Sequence, residues 1–332
     1  MHLVITGGAG FIGSVVAEQA LLAGHTGTVL DSLVDGFRGA VSADCRFVQG
    51  DVGDSATLDA VFGAARVDAV VHMAAEATIA TSMTDPARYF DQNVVRGLTL
   101  LEAMRRHAVP RIVFSSTAAT YGEPRETPID ESHPLVPINA YGESKLMFER
   151  CLEWYHRAYG LRVVTLRFFN AAGATADHGE SRRYESHLIP LVFSAALGQR
   201  PAVHVFGSDY PTPDGTCIRD YVHVADIADA HLVALDRMDD LGLETFNVGG
   251  GSGHSVLEVL AAVEATIGRE VPRVMRDRRP GDPAVLLASA GKLQRTLGWR
   301  PVRSSLANII ESAWGWRMRF PDGYGPTLSP EP

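Results

Sequence analysis

The feature that most constrains this chain is a glycine-rich turn set between its first strand and its first helix. Gly7-Gly8-Ala9-Gly10-Phe11-Ile12-Gly13 follows the apolar run Leu3-Val4-Ile5-Thr6 at once. It opens a stretch in which Ile12, Val15, Val16 and Ala20 recur at helical spacing. Glycines at 7, 10 and 13 permit a tight turn, close approach of a pyrophosphate and seating of the helix on the sheet. The helix N-terminus adds unpaired N–H groups and a partial positive charge. With a strand before it and a helix after it, the turn reads as a dinucleotide site rather than an idle glycine loop. Asp31 ends the second run, Thr28-Val29-Leu30, 18 residues beyond Gly13. A carboxylate there accepts hydrogen bonds from the adenosine ribose and repels a 2′-phosphate, which selects NAD over NADP.

The first half continues to alternate two periods. Val70-Val71-His72, Ile112-Val113-Phe114 and Val163-Val164-Thr165-Leu166 read as buried parallel strands. Helical spacing fills residues 86–107, opened by Asp85 as N-cap and Pro86, and residues 141–159. Such alternation predicts an α/β chain: a Rossmann-type doubly wound parallel sheet with a smaller mixed α/β substrate domain. The expected division is 1–170 for NAD and 171–332 for the substrate, with residues 224–238 and 245–248 returning to the first sheet. Residues 171–186 are small, polar and charged and read as a loop, and Pro and Gly cluster at 207–215 and 280–283. Pro326, Pro330 and Pro332 mark a frayed tail.

With 332 residues, 46% of them hydrophobic and 21% charged, there is ample material for such a core. A net charge of −9 without a Lys/Arg-rich run argues against nucleic acid. Three cysteines without a CxxC give neither a disulfide framework nor a zinc site and suit a reducing compartment. The 12 histidines are scattered with no HExxH, so no metal is expected, and no GxxxxGK[ST] supports nucleoside triphosphate hydrolysis. Residues 1–17 are uncharged and hold four glycines, unlike a signal peptide. No run approaches the roughly 18 apolar residues of a membrane helix. The expectation is a cytoplasmic chain.

Tyr141-Gly142-Glu143-Ser144-Lys145 places a tyrosine and a lysine four apart, on one helix face. An ammonium beside a phenol stabilises the phenolate, which can take a proton from a sugar hydroxyl while hydride leaves the carbon for nicotinamide. Alone, this is also an ordinary half-exposed helix pair. Ser115-Ser116-Thr117 adds weight, because it ends the fifth strand, where doubly wound sheets hold their ligands.

These segments, with Tyr121-Gly122, resemble the extended short-chain dehydrogenase/reductase family. Within it, Arg167-Phe168-Phe169-Asn170 and the blocks GSDYPTPDGT (207–216) and CIRDYVHV (217–224) look like the UDP-galactose (UDP-glucose) 4-epimerases. The resemblance runs from Met1 to about Trp316. It implies reversible hydride transfer from sugar C4 to bound NAD, through a 4-keto intermediate that rotates and is re-reduced on its other face. It implies Tyr141 as base and acid, Lys145 as its electrostatic partner and ribose ligand, and Thr117 as the hydroxyl holding the sugar O4. Along the cofactor it implies Gly7, Gly10, Phe11, Ile12, Gly13, Asp31, Asp51 and Val52. Met73, Ala74, Ala75, Asn93, Ser115 and Phe168 complete that set. For the UDP-sugar it implies Asn170, His187, Leu188, Phe206, Arg219, Arg279 and Asp282, with Leu286 facing the sugar's 2-position. A homodimer through the helices at 86–107 and 141–159 is implied as well. The chain departs from the family pattern at Ala77, where a basic or polar residue is expected, and at Ala80-Thr81-Ser82, where Gly-Glu-Ser is commoner. Thr117 stands where many members have serine.

Other activities on this fold fit less well. A dehydratase resembling this family needs an acid pair beside Thr117 to expel the 6-hydroxyl, and the chain has Ala118 and Ala119 there. A decarboxylase would usually carry a glutamate at that place. A cofactor-sensing regulator without catalysis predicts loss of the tyrosine or lysine, and both are present. A 4-epimerase acting on UDP-N-acetylglucosamine remains the alternative, because leucine at 286 lacks the ring with which a tyrosine would exclude an N-acetyl group.

Overall fold

The computed structural model of the chain describes residues 1–279 and 282–325. The prolines at 326, 330 and 332, and Pro280 and Gly281 of the second turn cluster, lie outside the described residues. Six strands of the first half run parallel: β1 (His2–Thr6), β2 (Thr26–Asp31), β3 (Arg46–Gln49), β4 (Ala69–His72), β5 (Arg111–Thr117) and β6 (Arg162–Phe168). The helices between them are α1 (Phe11–Leu22), α2 (Ser55–Gly63), α3 (Ile79–Thr84), α4 (Pro86–Phe90), α5 (Arg96–Arg106) and α6 (Ala140–Tyr159). All four residues of β4 are buried, as befits a strand covered on both faces.

The second half contributes β7 (Asn170–Ala172), α7 (Leu188–Ala196), β8 (Val203–Phe206), β9 (Ile218–His223), α8 (Val224–Leu241) and β10 (Leu243–Val248). After these come β11 (Gly253–Ser255), α9 (Val256–Ile267), β12 (Arg273–Arg276), β13 (Val285–Leu286), α10 (Gly291–Leu297) and α11 (Leu306–Arg319). β10 pairs in parallel with β6, so the large sheet has seven strands in the order β10-β6-β5-β4-β1-β2-β3. The order reverses at β1, between β4 and β2, which is where an open α/β sheet leaves a crevice at its carboxyl edge. α1 and α8 cover one face through Val15, Val16, Ile227 and Ala234, while α2, α5 and α6 cover the other through Leu58, Leu101, Phe148 and Leu152. β9 joins β7, β11 and β13 in a small sheet, and β8 pairs with β12. A separate apolar cluster holds Val192, Val205, Val259 and Ile310.

Local sequence explains the ends of α6. The Asn139 side chain accepts from the Gly142 N–H at 2.8 Å, and Gly160 at φ 70° terminates the helix. The helical spacing over 86–107 is interrupted: α4 and α5 are joined by a π turn over 91–95. Such a turn inserts an extra residue and re-aims its side chains; here Asn93 is turned into the protein. β3 and β7 do not stand out in the sequence, because short edge or crossover strands lack a long apolar run. Residues 173–186 carry no regular element, as expected for most of that segment.

Gly97 lets α5 lie against α6. A Cβ there would stand 2.4 Å from the Phe148 ring, which is fully buried. Gly97→Val is expected to cost about 1–3 kcal/mol through overpacking. The urea midpoint of unfolding reads this, and an unshifted midpoint contradicts the tight crossing.

Candidate active site

The glycine turn sits at the carboxyl end of β1. Gly7 adopts φ +72° and donates its N–H to the Leu30 carbonyl at 2.9 Å. A Cβ on Gly13 would come within 2.3 Å of the Gly7 carbonyl oxygen, so only glycine lets α1 start this close to the strand. At Gly10, by contrast, a Cβ would meet only that oxygen, at 3.3 Å. The space over the α1 N-terminus is therefore open, and no side chain caps the first-turn N–H groups. An anionic pyrophosphate fits this cradle. Asp31 closes it: its carboxylate accepts from Ala9 N–H at 3.0 Å and Leu33 N–H at 2.8 Å. Burial pushes the Asp31 carboxyl up, and those two donors pull it partly back. Each oxygen keeps a free lone pair for ribose hydroxyls.

Of the other cofactor residues, Met73 and Ala74 abut the turn, with their N–H groups on Thr6. Ala75 follows them at the same strand end, and Val52 is buried in the core beside them. Asp51 caps the Gly53 N–H at 2.7 Å and pairs with Arg96. The Asn93 amide is occupied inside the protein, by the backbone of Glu76 and by Ser144 Oγ at 2.9 Å. Ala77 is exposed, and α3 covers residues 80–82, with Ser82 buried against the Ile79 carbonyl at 2.7 Å.

The three hydroxyls that end β5 point to three places. Ser115 Oγ bonds His231 on α8 at 2.9 Å, away from the turn, so only its backbone faces inward. Ser116 donates to Glu149 on α6 at 2.5 Å. Thr117 pairs in register with Phe168, and its hydroxyl accepts from Ala119 N–H at 3.1 Å and interacts with the Tyr141 phenol. Burial pushes that phenol up, while Thr117 and the charge of Arg182 pull it back. Lys145 is buried; its ammonium donates to the Ser115 carbonyl at 2.8 Å and lies 4.7 Å from the centre of the Phe114 ring. Burial lowers it to about 7, against the pull of Glu149. The expected partnership of ammonium and phenol is thus indirect. Helical spacing puts Tyr141 and Lys145 on one face, but the lysine stem turns to the nearest buried acceptor, a strand-end carbonyl.

The substrate-side residues lie on β7, β8, β9, β13, the segment before β13 and the start of α7. Arg279 lies 3.9 Å above the Phe206 ring at the end of β8. Arg219 on β9 forms an ion pair with Asp282, and Leu286 stands opposite Arg219 in register. Leu286 also packs against Ala118, Tyr121 and Phe169, which links this group to the end of β5. Asn170 is exposed on β7 beside Tyr221 of β9. Leu188 opens α7 after His187, whose ring sits 2.5 Å from Glu180.

Sequence reasoning missed the strap before α7. Glu180 accepts from Arg182 Nε at 3.0 Å as well as facing His187. Burial would raise Glu180, but His187 and Arg182 outweigh it and hold it low, whereas burial pushes Glu185 up to about 7. Among the described residues, Glu180, Glu185 and His187 are the one group whose ligand atoms gather within 4.8 Å of one another. Glu180 is already shared by Arg182 and His187 of the chain itself. No local signal marks this cluster, since its partners are set by the path of the loop.

Comparison with known proteins agrees with this geometry. The NAD dependent epimerase/dehydratase family matches residues 3–249. A UDP-glucose 4-epimerase of Lacticaseibacillus casei is 47% identical over 328 residues, 98% of this chain and 99% of that protein. The UDP-glucose 4-epimerase of Brucella ovis, solved in complex with NAD, is 42% identical with a TM-score of 0.92, covering 95% of this chain and 98% of its own. That of Bifidobacterium longum, in complex with NAD+ and UDP, is 36% identical with a TM-score of 0.93, covering 97% and 100%. Matches of this extent leave one conclusion: the chain belongs to the NAD dependent epimerase/dehydratase family, among its UDP-glucose 4-epimerases.

Proposed function

We propose that this chain interconverts UDP-glucose and UDP-galactose by inverting C4. The observation that carries the reading is the packing of the first turn of α6, which holds Tyr141, against the segment just after Thr117 at the carboxyl end of β5, where Gly142 lies on the Ala119 carbonyl, in a sheet whose glycine cradle opens at the same edge. NAD, held by these residues, would supply the hydride acceptor and donor at C4. Tyr141 takes the proton of the C4 hydroxyl and gives it back, while Thr117 orients that oxygen. Lys145 adds a positive charge at the strand end. Gly7, Gly10, Gly13 and the α1 N-terminus hold the pyrophosphate, and Asp31 holds the adenosine ribose. Phe206 and Arg279 would sandwich the uracil side, and Arg219 would face the diphosphate. Ala118 and Ala119 follow Thr117 without a proton-transferring group, which favours epimerisation over elimination.

In this reading residues 1–170 and 224–248 serve the cofactor and the remainder serves the sugar nucleotide. The three cysteines are free, which supports a reducing, cytoplasmic setting. No described helix is long and apolar enough to cross a membrane. We also infer a homodimer through the helical segments 86–107 and 141–159, because Val95 on the first and Met147, Trp154 and Tyr159 on the second present exposed apolar surface.

Incubating the purified protein with UDP-galactose should yield UDP-glucose without consumption of added NAD. Tyr141→Phe is expected to retain NAD while turnover falls by about 10²–10⁴; a near-normal rate would reject its role. The wild type should also convert UDP-N-acetylglucosamine, because leucine at 286 lacks the ring with which a tyrosine would exclude an N-acetyl group. Leu286→Tyr should lower kcat/KM for that sugar at least about tenfold and spare UDP-glucose. If the wild type ignores the N-acetylated sugar, the pocket is closed by other residues. Sedimentation equilibrium should give the mass of two chains, and Trp154→Glu should give one; a wild-type monomer removes the dimer.

A further inference from the structure

Behind the strand end that carries Thr117 lies a buried polar network that the chemistry above leaves unused. Glu149 is one helical turn beyond Lys145 on α6, on the same face. Its carboxylate takes two N–H groups of Arg167 on β6, Nε at 3.0 Å and Nη2, together with the Ser116 hydroxyl. Arg167 in turn donates to the Tyr121 hydroxyl at 3.0 Å, and Tyr121 donates to Asn247 at 2.7 Å. Glu149 and Arg167 are 6% and 4% exposed, so the pair is almost fully desolvated. A buried ion pair is seldom stabilising in itself, and its retention calls for another use.

We propose that Glu149 is a positioning residue of this active site, which keeps Lys145 charged and, through Ser116, fixes the 115–117 strand end that presents Thr117. The inference rests on Lys145 being the site's cation, as read above. Three hydroxyls in a row are held in different directions, and the middle one is held by Glu149. The lysine beside it donates to the carbonyl of the residue before. One carboxylate therefore braces the strand from which both the ammonium's acceptor and the sugar-facing hydroxyl hang. It also supplies the negative charge nearest in sequence on the lysine's own helix face.

Other charged and titratable groups surround Lys145 and Glu149, Arg167 first among them. From α6 come Tyr141 and Glu153, which with Glu149 and Arg167 lines a cavity of about 270 Å³. Glu131, Glu244 and Lys292 line the same cavity, and Lys292 and Glu244 pair. His72 on β4 faces Lys145, and burial holds it down at about 3; His231 on α8 is held at about 4 by the same cause. Both imidazoles are neutral at working pH. Burial draws Lys145 toward discharge, and Glu149 opposes it. Removing that negative charge lowers the pKa of a neighbouring cation, so the lysine discharges at a lower pH and the alkaline limb of the rate profile moves down.

The chain has only two lysines, Lys145 and Lys292, so lysine labelled at Cε gives two resonances, assigned with Lys292→Arg. In the NAD-loaded Glu149→Gln protein, the Lys145 titration is expected to fall by about one pH unit, tenfold in the proton equilibrium. The alkaline limb of kcat should fall with it, while KM changes little. Glu149→Asp keeps the charge but withdraws it from Arg167 and Ser116; its Lys145 titration should stay close to the wild type even where stability drops. An unmoved lysine in Glu149→Gln overturns the proposal. So does a fall in Glu149→Asp as large as that of Glu149→Gln, or a full-unit fall in Glu149→Asp should the glutamine protein not fold. Failure of the wild type to epimerise any UDP-sugar would instead strike the functional reading, because the resonance reports charge without turnover.

Discussion

A parallel sheet sends the carboxyl end of every strand to one edge, and the strand-end groups there must find partners as the sheet closes. Most of the site in this protein follows from how that requirement is met. At β1 the ladder gives way to the glycine turn, whose Gly7, Ala9 and Gly10 N–H groups are taken within the protein, while the first-turn N–H groups of α1 carry no side-chain cap. At β2 the last residue is Asp31, which turns back to hold Ala9 and Leu33. At β5 the strand finishes in three hydroxyls, and the carbonyl of the first receives the only cation on the neighbouring helix face that is fully buried. Each arrangement satisfies buried backbone.

Local signals in the chain correspond to local physics. The glycine turn is legible because Gly13 answers to the Gly7 carbonyl six residues back and Gly7 to its own φ of +72°, although Gly7 also lies against Met73 and Ala74. The cap at Asn139 that starts α6 in time to carry Tyr141 is legible in the same way, and so is Asp31 through Leu33, two residues on. What is illegible depends on partners far along the chain. Nothing near Ser115 says that its hydroxyl is taken by His231, 116 residues away. Nor does anything near Asn93 say that its amide bonds Glu76 and Ser144. The tie is useful all the same: it joins the segment after β4 to the residue before Lys145, so the cofactor side and the catalytic helix share a buried hydrogen bond.

The sugar-nucleotide side shows a second way in which sequence and structure differ. Arg219 and Asp282 are both assigned to the ligand by resemblance, yet here they pair with each other. An arginine that is 8% exposed cannot remain unpaired without a large desolvation cost. Asp282 offsets that cost and orients the guanidinium at once. In the proposed reading a diphosphate beside this pair would meet a cation already held, with five donors of which the carboxylate uses only part. Arg279 is different. It is exposed and lies over Phe206, where a planar base could slide between ring and guanidinium at little reorganisation.

Burial acts on the two central groups in opposite senses with one result. It raises the Tyr141 phenol and lowers the Lys145 ammonium, and in both cases it favours the uncharged form. An acid–base cycle that lends a proton and takes it back needs the phenolate to be reachable, so something must resist this drift. On the tyrosine, the Thr117 hydroxyl and the Arg182 charge resist it; on the lysine, Glu149 does. The Phe114 ring under the ammonium adds a further attraction that water cannot screen. These partners come from β5, from the strap before α7 and from the same helix one turn on. The poise of the pair therefore depends on three separate elements keeping their places, and a change in any one of them reaches the proton through charge without touching the sugar.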